Sequence, residues 1–202
     1  MLSALLASAS AFGGVYEEML NAVDARDIGK VSELLQRGMD VNTSDQAGNS
    51  ILLLAAQNGD LPILELLIRN KANILTKNKY GDSALMLAAL RGHLRSVVSL
   101  VAAGAEADPD GWTPLIYASF AGHTEVVRFL LTLDIDVDAQ SASGISALMA
   151  SSRNGHLEIV KILLDQGAEV GLQNQNKLTA MDMARKADNR QIVQQLNRAR
   201  AR

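Results

Sequence analysis

Apolar and polar positions recur along the chain with a period close to 33 residues. Each unit carries a Ser or Thr at position 50, 83, 113, 146 or 179, so that the steps are 33, 30, 33 and 33 residues. An apolar run follows, and nine residues after the Ser or Thr comes a Gly, or an Asp in the last unit. A second apolar stripe then has the i, i+3, i+4 spacing of an amphipathic helix. The pattern predicts two short helices in every unit.

The residues between the apolar runs suit the ends of these helices. A Ser or Thr side chain can accept a hydrogen bond from an unpaired backbone N–H at the start of a helix. A glycine suits the left-handed residue that ends one. One unit cannot bury the apolar stripe of its second helix alone, so neighbouring units must stack into an all-α solenoid.

Several short motifs together resemble the ankyrin repeat. They are the period, the segment Thr113-Pro114-Leu115, the pairs Ala55-Ala56 and Ala88-Ala89, and the repeated Gly-His and Gly-Ala steps. The resemblance implies an ankyrin-like helix-turn-helix solenoid with short β-turn fingers and about five to six repeats including caps. We place a leader at residues 1–14 and one ankyrin repeat domain at 15–202, with repeats at about 15–44, 45–77, 78–107, 108–140, 141–173 and 174–202.

The chain departs from the family pattern at three places. The family's histidine after Thr-Pro-Leu is apolar in all four complete copies, which predicts a more apolar seam between repeats: Leu53, Met86, Ile116 and Met149. The third Ser/Thr comes three residues early, which predicts a short finger before Gly111 and a preformed notch beside Trp112. In the last copy Lys177 and Asp188 replace both glycines, as expected of a terminal repeat that faces solvent.

Composition and charge narrow the classes of function. The absence of cysteine excludes thiol catalysis and thiolate zinc sites. Lys and Arg number 19 against 22 Asp and Glu, so no basic field favours nucleic acid. No apolar run approaches the roughly 20 residues of a membrane span. We therefore expect no nucleic-acid partner, no membrane span and no cofactor, and we expect a monomer.

The three histidines could suggest a metal ladder, because His93, His123 and His156 recur at one repeat position. Packed helices lie about 10 Å apart, however, so successive histidines cannot share a metal ion at about 2.1 Å. The equivalent positions elsewhere hold Asp27, Asp60 and Asn189, which are typical of a helix start. We interpret the histidines as structural.

Two further chemical motifs are incomplete. Asp134, Asp136 and Asp138 resemble the opening of a calcium loop, but Ala139 and Ile145 stand where that loop requires Gly and Glu. The sequence has no nucleophile elbow and no phosphate-binding glycine loop. We therefore expect no metal site and no enzyme activity.

The first 14 residues allow two interpretations. Ala9-Ser10-Ala11 has the small-x-small pattern of a signal-peptidase site, but a basic n-region is missing and the apolar stretch before it is short. One hypothesis is the remnant of a secretory signal whose start lies upstream, which makes the protein periplasmic or secreted. The other is a simple Ala- and Ser-rich leader on a cytoplasmic protein.

The family resemblance also implies a binding surface. Ankyrin stacks bind partners on a concave face, with residues that flank the finger glycine and with the two residues before the Gly-His step. Here those positions predict a partner site of Tyr80, Asp82, Leu90, Arg91, Asp110, Trp112, Phe120, Ile145 and Arg153. The alternative is that Trp112 and Phe120 fold back onto adjacent repeats or fill the space left by the short finger. Tyr117 and Phe129 fall at inward positions and are predicted to lie in the core.

The sequence thus predicts a non-catalytic protein–protein interaction module that binds a partner protein on its concave face. The alternative is an exported inhibitor, immunity or effector protein that acts by blocking a partner enzyme. The same solenoid serves many partners, so the fold does not name one.

Overall fold

The computed structural model describes residues 16–201, in which twelve helices form six consecutive pairs. The predicted leader and its cleavage pattern lie outside these residues. The helices are α1 (residues 16–24), α2 (Ile28–Gln36), α3 (Ile51–Asn58), α4 (Leu61–Arg69), α5 (Ala84–Arg91), α6 (Leu94–Ala102), α7 (Pro114–Ala121), α8 (Thr124–Leu130), α9 (Ala147–Asn154), α10 (Leu157–Asp165), α11 (Ala180–Lys186) and α12 (Arg190–Arg200).

In the second to sixth pairs the first helix begins where the sequence predicts, and in the second to fifth pairs it also ends there. Its N-cap side chain accepts a hydrogen bond from the N–H three residues later, at Ser50, Ser83, Thr113, Ser146 and Thr179. Left-handed glycines with φ between 69° and 85° end four of these helices, at Gly59, Gly92, Gly122 and Gly155. Lys177 and Asp188 adopt the same left-handed region, with φ of 59° and 54°.

The pairs stack in register, and the core runs along the stack. First helices α3, α5, α7, α9 and α11 contact one another in order, as do second helices α4, α6, α8, α10 and α12. The four residues that stand in place of the family's histidine are each at most 2% exposed, which confirms the apolar seam between repeats. They are Leu53, Met86, Ile116 and Met149.

The histidines tie neighbouring repeats together. Nε2 of His93, His123 and His156 lies 3.1, 3.0 and 3.1 Å from a backbone carbonyl oxygen of the preceding repeat. Because a carbonyl only accepts, each Nε2 carries the hydrogen. Within residues 16–201 no group of three or more His, Cys, Asp or Glu side chains could hold a metal ion.

In the described part of the chain, four fingers share a backbone hydrogen bond across their base that the short finger lacks. The bond joins Asp45 N to Asn49 O, and the same bond recurs from Asn78, Ser141 and Asn174 at 2.9 to 3.0 Å. In the part of the chain that the structure describes, Asp108 makes no such bond to Trp112. Its carboxylate instead accepts from Asp136 N at 3.0 Å, so the short finger is held by the loop of the next repeat.

Candidate functional site

Three aromatic side chains meet where the fingers adjoin the first helices. The Trp112 ring lies 4.9 Å from that of Tyr117, tilted by 37°, and 6.4 Å from that of Phe120 in an edge-to-face arrangement. Both geometries are favourable for aromatic rings. Trp112 is nevertheless 36% exposed and Phe120 42% exposed. We call Trp112, Tyr117 and Phe120 the aromatic cluster.

The prediction that Tyr117 lies in the core is wrong. Its side chain is half-buried, and its hydroxyl donates to the Asp82 carboxylate at 2.5 Å. A phenol hydroxyl that leaves water needs a partner, and Asp82 on the preceding finger supplies it, so the ring lies across the repeat boundary. Burial, and then the bond to Asp82, raise the pKa of Tyr117 well above its ordinary value. Phe129, by contrast, is half-buried and packs against the core.

Phe120 is fixed from the other side by the following repeat. Its carbonyl oxygen accepts hydrogen bonds from Asn154 Nδ2 at 2.7 Å and from His156 Nε2 at 3.1 Å. The Tyr117 side chain is therefore tied to the preceding repeat, and the backbone at Phe120 is tied to the following one. A surface fixed in this way loses little conformational entropy when it binds.

A cleft of about 600 Å³ opens beside the aromatic cluster, on its C-terminal side. Trp112 and Phe120 form one wall, the fingers around Ile145 and residues 174–178 form another, and Arg153 and Lys186 border it. The volume is within the range of about 300 to 1,000 Å³ that is common for binding pockets. We call this space the concave cleft.

One small residue, Ala150, lies in the floor of the concave cleft. The fourth residue of the successive first helices forms a row: Leu54, Leu87, Tyr117, Ala150 and Met183. Ala150 is the one residue of this row that carries only a methyl group. Because longer side chains stand on both sides, the floor of the stack drops at α9, and Ala150 and Met183 line the cleft there.

The cleft has a positive rim. Its lining includes Arg153 and Lys186 and no carboxylate. Neither cation forms a salt bridge within residues 16–201. The acidic residue on the same helix as Lys186 is Asp182, and its carboxylate is bonded to Thr179. It accepts from the Thr179 N–H at 3.0 Å and from the Thr179 hydroxyl at 2.7 Å, and these bonds lower its pKa.

The predicted partner residues separate into those at the cleft and those away from it. Four line the cleft: Trp112, Phe120, Ile145 and Arg153. Asp82 supports it through Tyr117. The side chain of Leu90 is half-buried outside the lining, and Arg91 and Asp110 are exposed outside it.

Tyr80 stands apart, since it is 80% exposed and makes no ring contact with the aromatic cluster within the described residues. The cleft opens on the C-terminal side of Trp112, whereas the short finger precedes Trp112. The notch expected from that finger is therefore not the source of the cleft. Sequence reasoning missed Tyr117, Ala150, Met183 and Lys186, although the row of fourth positions contains the signal for Ala150.

Comparison with known proteins decides the family. A sequence profile of ankyrin repeats matches three overlapping stretches, residues 19–109, 52–141 and 133–201. The chain belongs to the ankyrin repeat family. Ankyrin repeats are protein–protein interaction scaffolds and are typically non-catalytic, so this repeat stack is a protein-binding module. No described helix is long and apolar enough to cross a bilayer.

One of the solved structures that share this fold contains two different proteins. It is the complex of the predatory endopeptidase Bd0816 from Bdellovibrio bacteriovorus with immunity protein Bd3460. The match has a TM-score of 0.80 and 27% sequence identity, and it covers 90% of this chain and 97% of the matched chain. No curated protein sequence is significantly similar to this chain.

Proposed function

We propose that this ankyrin repeat protein is a non-catalytic binder that captures a partner protein in the concave cleft. The observation that carries the proposal is the aromatic cluster, which is partly exposed, held by neighbouring repeats and placed beside a preformed cleft. Aromatic and Arg side chains are enriched among interface residues whose truncation costs about 2 kcal/mol or more. Contiguous apolar surface of this kind marks interaction sites in soluble proteins.

Affinity capture with a matched pair of double variants tests the proposal. Trp112→Ala/Phe120→Ala removes the exposed aromatic rings. Leu75→Ala/Val98→Ala removes two side chains that are 61% and 41% exposed but lie outside the cleft lining. The protein retained by wild type from an extract of the native host is identified by mass spectrometry, purified and titrated against each variant.

We expect the aromatic variant to bind at least about 30-fold more weakly, which corresponds to one hot spot of about 2 kcal/mol. The control variant keeps wild-type affinity, and both variants keep the helical circular dichroism spectrum. Equal binding by wild type and the aromatic variant, or equal loss in both variants, contradicts the proposal.

A second candidate function is that the captured partner is an enzyme which the chain blocks. The similarity to a chain of an endopeptidase–immunity protein complex favours this candidate. The purified partner is assayed on peptide substrates with increasing amounts of the chain. Stoichiometric loss of turnover that Trp112→Ala/Phe120→Ala relieves supports inhibition. A bound partner whose activity is unchanged limits the chain to binding.

A further inference from the structure

We propose that the concave cleft receives a partner loop that presents an apolar side chain next to an acidic residue. The apolar side chain occupies the gap above Ala150, and the acidic side chain binds between Arg153 and Lys186. This inference rests on the proposed function and specifies the chemistry of the segment that the cleft recognises.

The apolar half of the inference comes from the floor and walls of the cleft. The gap above Ala150 lies between the Tyr117 and Met183 positions of the fourth-residue row. Ile145 and Leu178 face it from the fingers, so the space is bounded mostly by carbon. An apolar side chain placed there leaves water without any polar group losing a partner.

The acidic half comes from the second row of the concave face. This row consists of the residues two positions before the Gly or Asp that follows each first helix. In order along the stack they are Gln57, Leu90, Phe120, Arg153 and Lys186. The row changes from neutral to cationic at the cleft, in a chain whose net charge is -3. Adjacent first helices lie about 10 Å apart, so a carboxylate between α9 and α11 is within reach of both long side chains. The row also orients the loop, with its apolar residue toward Phe120 and its acid toward Lys186.

The finger wall adds shape rather than charge. Gln175 Nε2 donates to Ala142 O at 2.6 Å, and Gln175 N donates to Ser143 O at 3.1 Å. Asn174 Oδ1 accepts from the backbone N–H groups of Asn176 and Leu178. These groups already hold the two fingers together, so the discrimination between acidic and basic partners falls to Arg153 and Lys186.

The probe is a phage-displayed library of random linear peptides, panned against the full chain. A selected peptide without tryptophan is then titrated, and the fluorescence of Trp112, the only tryptophan of the chain, reports occupancy of the cleft. Ala150→Met fills the gap with the side chain of the next repeat. Arg153→Gln/Lys186→Gln removes the charge at similar length, and Arg95→Gln is the control for an exposed Arg outside the cleft lining.

We expect wild type to enrich peptides with Leu or an aromatic residue beside Asp or Glu. Ala150→Met and the charge variant each weaken the selected peptide at least tenfold, and only the charge variant abolishes the dependence of affinity on salt. Arg95→Gln binds like wild type. If Ala150→Met unfolds, as judged by circular dichroism, the charge variant still decides the acidic half and Ala150→Leu the apolar half.

Several results overturn the inference. They are enrichment of basic or wholly polar peptides, no enrichment, peptide binding that Ala150→Met leaves unchanged, and self-association of the chain that Ala150→Met abolishes. If a partner is lost from Trp112→Ala/Phe120→Ala but binds normally to the filled and uncharged variants, the proposed function stands and this inference fails. If no partner depends on the aromatic cluster, the proposed function itself fails.

Discussion

At the scale of single residues, two buried serines hold hydroxyl groups that the fold does not use. Ser119 in α7 and Ser152 in α9 are 0% exposed, and within the described residues neither Oγ has a hydrogen-bond partner. The equivalent positions of α3 and α5 are Ala56 and Ala89. Ser151 differs from both, because its hydroxyl donates to Ala147 O at 2.9 Å.

Replacement of the unpaired serines should stabilise the chain. We expect Ser119→Ala and Ser152→Ala each to raise the free energy of unfolding by about 1 kcal/mol, since a buried hydroxyl without a partner is costly. Ser151→Ala is the control and should lower it, because a made hydrogen bond is lost. Urea unfolding followed by circular dichroism measures all three. A loss of stability in the first two variants would mean that their hydroxyl groups are paired in solution.

The bond between Tyr117 and Asp82 should be visible in stability and in its dependence on pH. We expect Tyr117→Phe to lower the free energy of unfolding by about 1 kcal/mol at neutral pH. The folded chain raises the pKa of Tyr117, so this contribution is complete below the unfolded value of about 10 and declines at higher pH. Tyr80→Phe, at an 80% exposed position, should change little. A Tyr117→Phe deficit that stays constant into strong alkali would contradict the assignment.

Residues that act within their own helix could be predicted from the sequence, and Tyr117 could not. Ser50 and Gly59 cap the two ends of the same helix, α3. Their spacing in the chain is therefore enough to predict their roles. The orientation of Tyr117 depends on an acceptor 35 residues away. No local sequence pattern predicts that the Asp82 side chain turns toward the next repeat.

At the scale of elements, the fingers differ in how closely they approach the next repeat. A Cβ on Gly144 would lie 2.8 Å from the Asn174 Cα, whereas a Cβ on Gly81 would meet nothing within 4 Å. Both glycines have positive φ, of 79° and 85°. The comparison therefore separates the cost of backbone conformation from the cost of contact between repeats.

Gly81→Ala and Gly144→Ala form the corresponding test. We expect Gly81→Ala to cost about 1 to 2 kcal/mol from the left-handed conformation alone. Gly144→Ala should cost roughly 1 to 3 kcal/mol more, because the backbone of the last finger must move. Thermal and urea unfolding of the two variants give the difference. Equal costs would show that the finger at Gly144 does not approach the finger at Asn174 as described.

Helix α11, the first helix of the sixth pair, begins with a capping box that is sensitive to acid. Thr179 Oγ accepts from Asp182 N at 3.2 Å, while Asp182 accepts from the Thr179 N–H and hydroxyl. These bonds lower the pKa of Asp182 in the folded chain. As the pH falls, the unfolded chain takes up this proton first, at about 3.9, so the contribution of the box is present above that pH and lost below it.

Comparison with Asp182→Asn isolates this contribution from the other carboxyl groups. At neutral pH we expect the wild-type chain to be more stable than the variant, and the difference should shrink at about pH 3. Urea midpoints at the two pH values measure it. A difference that grows on acidification would contradict the direction of the pKa shift.

At the scale of the whole molecule, the concave cleft is a property of rows that cross the repeats. The sequence predicts Trp112, Phe120, Ile145 and Arg153 as partner residues because large or charged side chains stand at exposed repeat positions. It does not single out Ala150, since a cleft is made by a side chain shorter than its neighbours. Lys186 was missed because the last repeat lacks the Gly-His step that marks the position in the others.

Repeats that contact only their neighbours have stabilities that add along the stack. Variants at Trp112 and Phe120 therefore affect mainly the pairing of α7 with α5 and α9, and binding can be separated from folding. We therefore expect the partner to bind in the concave cleft of repeats four to six.

Hydrogen–deuterium exchange of the free chain and of its complex with the captured partner locates the surface that the partner covers. We predict that binding slows amide exchange in the fingers around Trp112 and Ile145 and in residues 174–179, and leaves the second helices α4 and α6 unchanged. Protection confined to the second helices, with the fingers exchanging as in the free chain, would contradict it.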